Sequence, residues 1–314
     1  MPRLVTATML ALSCLLGLAQ AHAAEVTAER SKEGVIVKID GHFFTEYLIR
    51  SGTKPILWPI LGPTEKPMTR SFPMGKTPGE KEDHPHQRSL WFTHGAVNQV
   101  DFWSESSKAG SIVHHEFVKI ASGPQAVIET RNDWLGPDGR KQCEDQRHLT
   151  FGVWGDARWI DFDITLHASD GPVHFGDTKE GSFGVRVAAT MKVDAKLGGK
   201  IVNSDGLTDA AAWGKRAAWV DYCGPVDNQT VGIAIFNHPS SFRFPTYWHV
   251  RTYGLFAANP FGEKSFSGKA GGDGAATLAA GEKLTLHYRL LFHRGTTEQA
   301  KVAEAYEEYA KQAR

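Results

Sequence analysis

Cysteine is scarce in this 314-residue chain, which holds only Cys14, Cys143 and Cys223. The two beyond the N-terminal segment cannot build a disulfide scaffold, and their spacing fits no zinc motif. They read as two buried thiols or one bridge. An excess charge of either sign is also lacking. Lys and Arg number 35, as do Asp and Glu, so there is no basic footprint for nucleic acid. Beyond residue 24 no apolar run approaches the ~20 residues of a transmembrane helix, so the mature chain is not expected to span a membrane. There is no Gly-rich phosphate loop, G-x-S-x-G elbow, H-E-x-x-H helix or dinucleotide fingerprint. Nucleotide chemistry and the common serine and zinc hydrolase plans therefore find no support.

What the sequence does contain suits a large, turn-rich β protein. Hydrophobic residues make up 41% and charged residues 22%, enough apolar material for a sizeable core. Gly 32 and Phe 17 accompany Trp 9, and His reaches 14. Arg3 precedes an apolar stretch over residues 4–18, and Ala21-His22-Ala23 has the small-x-small form of a signal-peptidase site. Residues 1–23 are thus expected to be a cleaved signal peptide, and residues 24–314 a single periplasmic or secreted domain. A lipobox at Cys14 would want Leu where Ala11 stands.

Period-2 alternation recurs along the chain. Val35, Val37 and Ile39 alternate before Asp40-Gly41, a hairpin turn signal. Ile160, Phe162, Ile164 and Leu166 form one apolar row, and Leu284, Leu286, Tyr288, Leu290 and Phe292 another. Phe183, Val185, Val187, Ala189 and Met191 predict a strand through residue 191. Turn clusters such as Gly136-Pro137-Asp138-Gly139 separate such runs, and no helices alternate with them. The pattern predicts an all-β fold, a large antiparallel β-sandwich. One helix is predicted at the C-terminus, where Thr296-Thr297-Glu298-Gln299 reads as a capping box ahead of an apolar stripe of Val302, Ala305, Tyr306 and Tyr309. Residues 52–86 carry seven prolines, Pro55 and Pro59 among them, and are expected to form a long loop rather than a central strand.

That stretch runs into the densest polar cluster, Asp83-His84-Pro85-His86-Gln87-Arg88-Ser89-Leu90-Trp91-Phe92-Thr93-His94-Gly95. If residues 84–94 are extended, His84, His86, Arg88 and His94 share a face. Such groups are costly to bury unless paired, metal-bound or lining a wet cavity. Two functional readings follow: a divalent metal on His84 and His86 with His94 or a remote carboxylate, or acid/base histidines beside an anion-stabilising Arg88. A structural hydrogen-bond network is the third. Lys179-Glu180 stands before a strand and supplies a carboxylate partner for the histidines, or a plain surface ion pair. Asp101-Phe102-Trp103 adds an aromatic that is either a stacking platform or core. A third stretch places His238, Arg243, Trp248, His249, Arg251 and Asn259 among aromatics. This mixture suits a sugar ring, whose C–H face packs on an aromatic while its hydroxyls take hydrogen bonds.

Three of these segments, residues 84–95, 179–184 and 248–262, resemble the PmoA-like family, a domain family of unknown function in bacterial exported proteins. The resemblance covers nearly the whole mature chain. The family commonly reads His-His-Arg where this chain has His86-Gln87-Arg88. The family's label implies a metal-dependent oxidoreductase, a subunit of a methane oxygenase, whose namesake is a bundle of membrane helices unlike the strands read here. The ending Leu278-Ala279-Ala280-Gly281-Glu282-Lys283-Leu284 is similar to the last hairpin of galactose-mutarotase-like supersandwiches. That resemblance implies sugar binding on a concave sheet.

The expected function is an exported carbohydrate-active enzyme using acid/base chemistry on a saccharide: epimerisation, elimination or glycoside cleavage. The candidate catalytic residues are His86, Glu180, Arg88 and His249, with His86 and Glu180 moving protons. His84, His94, Lys179, His238, Trp248, Arg251 and Asn259 are candidates for substrate binding. The sequence establishes no cofactor and leaves a divalent metal open, with His84, His86 and His94 as the residues that would hold it. A non-catalytic glycan-binding protein and a metal-dependent oxidoreductase are the alternatives. Everything depends on whether the three polar segments meet in space.

Overall fold

A computed structural model describes residues 24–268 and 271–314, so the expected signal segment and Cys14 lie outside the described residues. The strands, in chain order, begin with β1 (Val26–Arg30), β2 (Gly34–Ile39), β3 (His42–Ser51), β4 (Lys54–Ile60), β5 (Leu90–His94) and β6 (Ser111–Ala121). There follow β7 (Ala126–Leu135), β8 (Lys141–Trp154), β9 (Ala157–His167), β10 (Val173–Phe175), β11 (Gly181–Arg186) and β12 (Lys200–Asn203). The remainder are β13 (Trp219–Val226), β14 (Gln229–Asn237), β15 (Tyr247–Val250), β16 (Leu255–Asn259), β17 (Ala276–Leu278) and β18 (Lys283–Arg294). Two short helices are α1 (Glu263–Ser267) and α2 (Val302–Ala310). None of the described helices is long and apolar enough to cross a membrane.

Sixteen of the strands form two eight-stranded antiparallel sheets. The first has the order β1-β2-β3-β4-β5-β11-β16-β15, and the second β12-β13-β14-β18-β9-β8-β7-β6. The alternating rows foreseen in the sequence meet across the second sheet, where Leu284 pairs with Leu166, Leu286 with Ile164, Tyr288 with Phe162 and Leu290 with Ile160. These side chains point between the sheets and join Phe92, Phe183 and Val185 from the first sheet in one core. The Asp40-Gly41 turn has positive φ at both residues, 49° and 79°, as a type I′ hairpin between β2 and β3 requires. The expectation of a large antiparallel sandwich closing in a C-terminal helix is therefore met.

Helix α2 lies on the outer face of the second sheet, where Val302, Ala305 and Tyr309 cover Trp159, Phe236 and Leu291. The capping box forms, with Thr296 N–H donating to Gln299 Oε1 at 2.9 Å and Gln299 N–H to Thr296 Oγ1 at 3.3 Å. It closes a turn ahead of the helix, because left-handed Lys301 (φ 52°) separates the two.

Three sequence expectations need correction. Pro55 and Pro59 do not exclude a strand: both lie in β4, which pairs with β5 only at Ile56 and Leu57, so neither proline is asked for an N–H in that ladder. The strand predicted through Met191 ends at Arg186, and Ala189–Met191 is a 3-10 turn. Residues 84–94 are not continuously extended. Gln87 N–H donates to the His84 carbonyl in a tight turn at Pro85, and His84 and Ser89 have φ of 46° and 51°, so the strand starts only at Leu90. Cys143 and Cys223 are both buried free thiols.

Candidate functional site

The centre of the first sheet sets out the site. Trp91 on β5 pairs with Gly184 on β11, Gly184 with Ala257 on β16, and Ala257 with His249 on β15. Side chains at these positions share the sheet's outer face, away from the core. The two small residues in the middle leave room on that face, and a Cβ on Gly184 would stand 2.5 Å from the Trp91 indole. Trp103 packs against Trp91 with ring centroids 5.4 Å apart and planes inclined by 58°. Strand ends then bring the loops in. Gly95 N–H, just past β5, donates to the Glu180 carbonyl, just before β11, at 2.7 Å.

The result is a hollow of about 590 Å³ lined by residues of all three polar segments. This size lies within the ~300–1,000 Å³ usual for small-ligand sites. Six of the residues expected from sequence line it: His84, His86, Lys179, Glu180, His249 and Arg251. Gln87, Asp101, Trp103 and Tyr253 are also in its walls. Tyr253 stacks on His84 at 5.6 Å and 11°.

His249 is 4% exposed and donates from Nδ1 to the Lys179 carbonyl at 2.8 Å. That bond selects the tautomer with Nε2 unprotonated. Burial lowers its pKa to about 4, against the upward pull of the Glu180 carboxylate. His86 has no hydrogen-bond partner for either ring nitrogen among the described residues. Its pKa is also lowered to about 4, first by burial and then by the charge of Lys54. Near neutral pH both imidazoles are uncharged and able to accept a proton. Glu180 stands beside them, in an ion pair with Lys179 at 2.6 Å. The Asp101 carboxylate is fixed by Trp103 N–H at 2.8 Å and by Ser104. Arg251 lies 5.6 Å from the Trp213 ring centre and 5.7 Å from that of Tyr253.

Five residues proposed from sequence do not line the hollow. Arg88 is spent on Glu105, with two bonds of 2.7 Å, and on Ser51 at 3.1 Å, because the turn at Ser89 breaks the expected shared face. His94 has the inward parity of Phe92. It is fully buried, donates from Nε2 to the Gly176 carbonyl at 2.8 Å and meets Ser182 Oγ at 3.2 Å. Trp248 is a core residue whose Nε1–H donates to the Ala217 carbonyl. His238 belongs to the second sheet's outer side, between Ser240 and the Gln312 carbonyl. Asn259 acts from beneath, its Nδ2 donating to the Thr178 carbonyl at 2.8 Å and so anchoring the loop that carries Lys179 and Glu180.

Sequence reasoning passed over Asp101, Gln87 and Tyr253 as site residues. Asp101 carried a usable signal, an acidic residue two and three positions before the N–H groups its carboxylate caps.

The histidine trio His84, His86 and His94 does not form a ligand set, since both His94 nitrogens are engaged in the interior. Among the described residues, Asp221, Cys223 and His293 do bring three ligating atoms within 4.8 Å of one another. They lie on the second sheet and satisfy each other. The Asp221 carboxylate accepts from His293 Nε2 at 3.1 Å, Cys223 Sγ at 3.0 Å and Thr297 Oγ1 at 2.7 Å. A second hollow of about 650 Å³ opens beside His293 at the C-terminal turn. Its charged side chains are exposed and paired, Arg294 with Asp156 at 3.5 Å and Lys301 with Glu304 at 3.6 Å, so it concentrates no unspent chemistry.

A family model described as a family of unknown function (DUF6807) matches residues 34–307. No curated protein matches the chain. Among solved structures, the alpha-galactosidase from Lactobacillus brevis is 9% identical with a TM-score of 0.46, over 88% of this chain and 40% of that one. A glycoside hydrolase family 97 enzyme in complex with acarbose, from a Pseudoalteromonas strain, is 11% identical with a TM-score of 0.33, over 86% and 34%. The galactose mutarotase related enzyme from Lactobacillus acidophilus is 9% identical with a TM-score of 0.30, over 85% and 97%. The chain thus spans about two fifths of the α-galactosidase.

Proposed function

From a chain that belongs to the DUF6807 family of unknown function, we propose an exported carbohydrate-active enzyme that moves protons on a saccharide. The observation that carries this reading is the pair of uncharged imidazoles, His86 and His249, facing one hollow together with the Glu180 carboxylate. His249 would take a proton at Nε2 while its Nδ1–H stays on the Lys179 carbonyl, and Glu180 would stabilise the imidazolium that results. Trp103 and Tyr253 line the hollow and offer apolar contact to a pyranose, and Gln87 and Asp101 offer polar partners for hydroxyls. The resemblance of the three lining segments to PmoA-like exported proteins fits the same setting, with residues 1–23 as the leader that would carry the chain out of the cytoplasm.

The test is a panel of oligosaccharides incubated with the purified mature chain, with products identified by mass spectrometry and NMR. Turnover of at least one saccharide is expected, and His249→Ala and Glu180→Gln should each lower it by about 10²–10⁴-fold with unchanged circular dichroism. Turnover that survives both substitutions would remove the proton-transfer assignment.

A further inference from the structure

Charge around the hollow is not balanced, although the chain as a whole is. On one side Arg70 and Arg186, each 2% exposed, share a single carboxylate: Arg70 reaches Asp83 at 2.6 Å and Arg186 reaches the same oxygen at 3.1 Å. Arg186 also binds Gln87 in the hollow wall, and its guanidinium lies 4.7 Å from the Tyr253 ring centre. The Nε atoms of both arginines are buried without a hydrogen-bond partner among the described residues. On another side fully buried Lys54 and largely buried Arg88 share only Glu105, at 2.8 and 2.7 Å. The field of Lys54 reaches His86.

At the rim Arg251 has no carboxylate partner among the described residues, and Lys179 has Glu180. These six cations are met by Asp83, Glu105, Glu180 and Asp101. The next shell around Arg70 and Arg186 adds Lys81 and Lys192, but also Glu80 and Asp194, so the excess persists. Buried cations without a full complement of anions are costly, and low-dielectric walls focus their field into an open cleft. An anionic ligand there would complete the charge.

Resting on the saccharide reading above, we infer that the ligand is an acidic saccharide whose uronate carboxylate docks on Arg251, within the positive field of the Arg70–Arg186 and Lys54–Arg88 clusters. The Arg251 guanidinium, 5.6 Å from the Trp213 ring centre and 5.7 Å from that of Tyr253, offers a planar fork that matches a carboxylate with two parallel N–H···O bonds. One such fork suits one carboxylate on a ring whose face lies against the aromatic wall.

The experiment is isothermal titration of the mature protein with oligomers of galacturonate, glucuronate and mannuronate. Each is compared with its carboxyl-reduced neutral counterpart and with a sulfated neutral oligosaccharide. At least one uronate oligomer should bind tenfold or more tightly than its reduced form, with affinity that falls as salt rises. Arg251→Gln should erase that preference, and Arg186→Gln should weaken it. Equal binding of the reduced oligomer, or a preference for the sulfated one over every uronate, would overturn the inference while leaving a saccharide site in place. Failure of every saccharide to bind would remove both.

Discussion

His86 and His249 differ from the buried His94 and His238 in what their ring nitrogens lack. His94 and His238 each have both nitrogens engaged by neighbours, whereas His249 keeps Nε2 free and His86 keeps both. An unspent imidazole in a largely dry wall titrates low, because the charged form loses hydration without gaining a counter-ion. NMR titration should therefore show both rings neutral at pH 6, with midpoints near 4. Any activity should keep its neutral-pH level down to about pH 5 and fall as these rings protonate. A midpoint above 6 for both would contradict the desolvated setting. Choosing His86, Glu180 and His249 required only residue type and clustering. Rejecting Arg88 required knowing that Glu105 folds back onto it, and no local periodicity in the intervening loop announces that contact.

Strand ends and turns decide which of these groups can meet. The loop of Lys179 and Glu180 hangs from Asn259, and Asn259→Ala should leave the fold intact while lowering turnover, with kcat falling more than KM changes, since the loop is displaced rather than its groups deleted. Equal loss in Asn259→Ala and Glu180→Gln, with no difference in KM, would remove the positioning role. On the opposite sheet, Asp221 ties β13 to the turn after β18 through His293 and Thr297. Removing one partner of a buried pair costs ~3–5 kcal/mol, so Asp221→Ala should lower urea-unfolding stability by about that amount. A change below 1 kcal/mol would show that the cluster is not a structural clamp. Alternation predicted β9 and β18 down to their facing residues, and the hairpin at Asp40-Gly41 likewise. The proline content mispredicted β4, because a proline is forbidden only where the neighbouring strand needs its N–H.

Over the whole molecule, buried histidines link folding to pH. His86, His94 and His249 have folded pKa values near 4, below the ~6.5 of an unfolded histidine. Between those values the unfolded chain binds more protons, so their contribution is complete above pH ~6.5 and is lost as pH falls toward 4. Asp83, Glu105 and Asp221 are lowered as well, which adds to the loss on the acid side. His293 is raised by Asp221 and works in the opposite direction, its share fading as pH rises through its folded value. Three histidines and three carboxylates outweigh one, and the urea midpoint should be clearly lower at pH 4.5 than at pH 7. A midpoint that is flat or higher at pH 4.5 would refute this balance.

Sequence alone determined the sandwich, its hairpins, the C-terminal amphipathic stripe and the inventory of groups able to do chemistry, because alternation and turn residues act over a few neighbouring positions. Tertiary structure alone decided which groups remain unspent. Whether an imidazole or guanidinium is free depends on partners such as Glu105, Gly176 and Gln312, which reach it from loops and from the C-terminal tail. The excess of cations around the hollow is likewise invisible in a chain whose charges cancel, because only folding sorts them into different places.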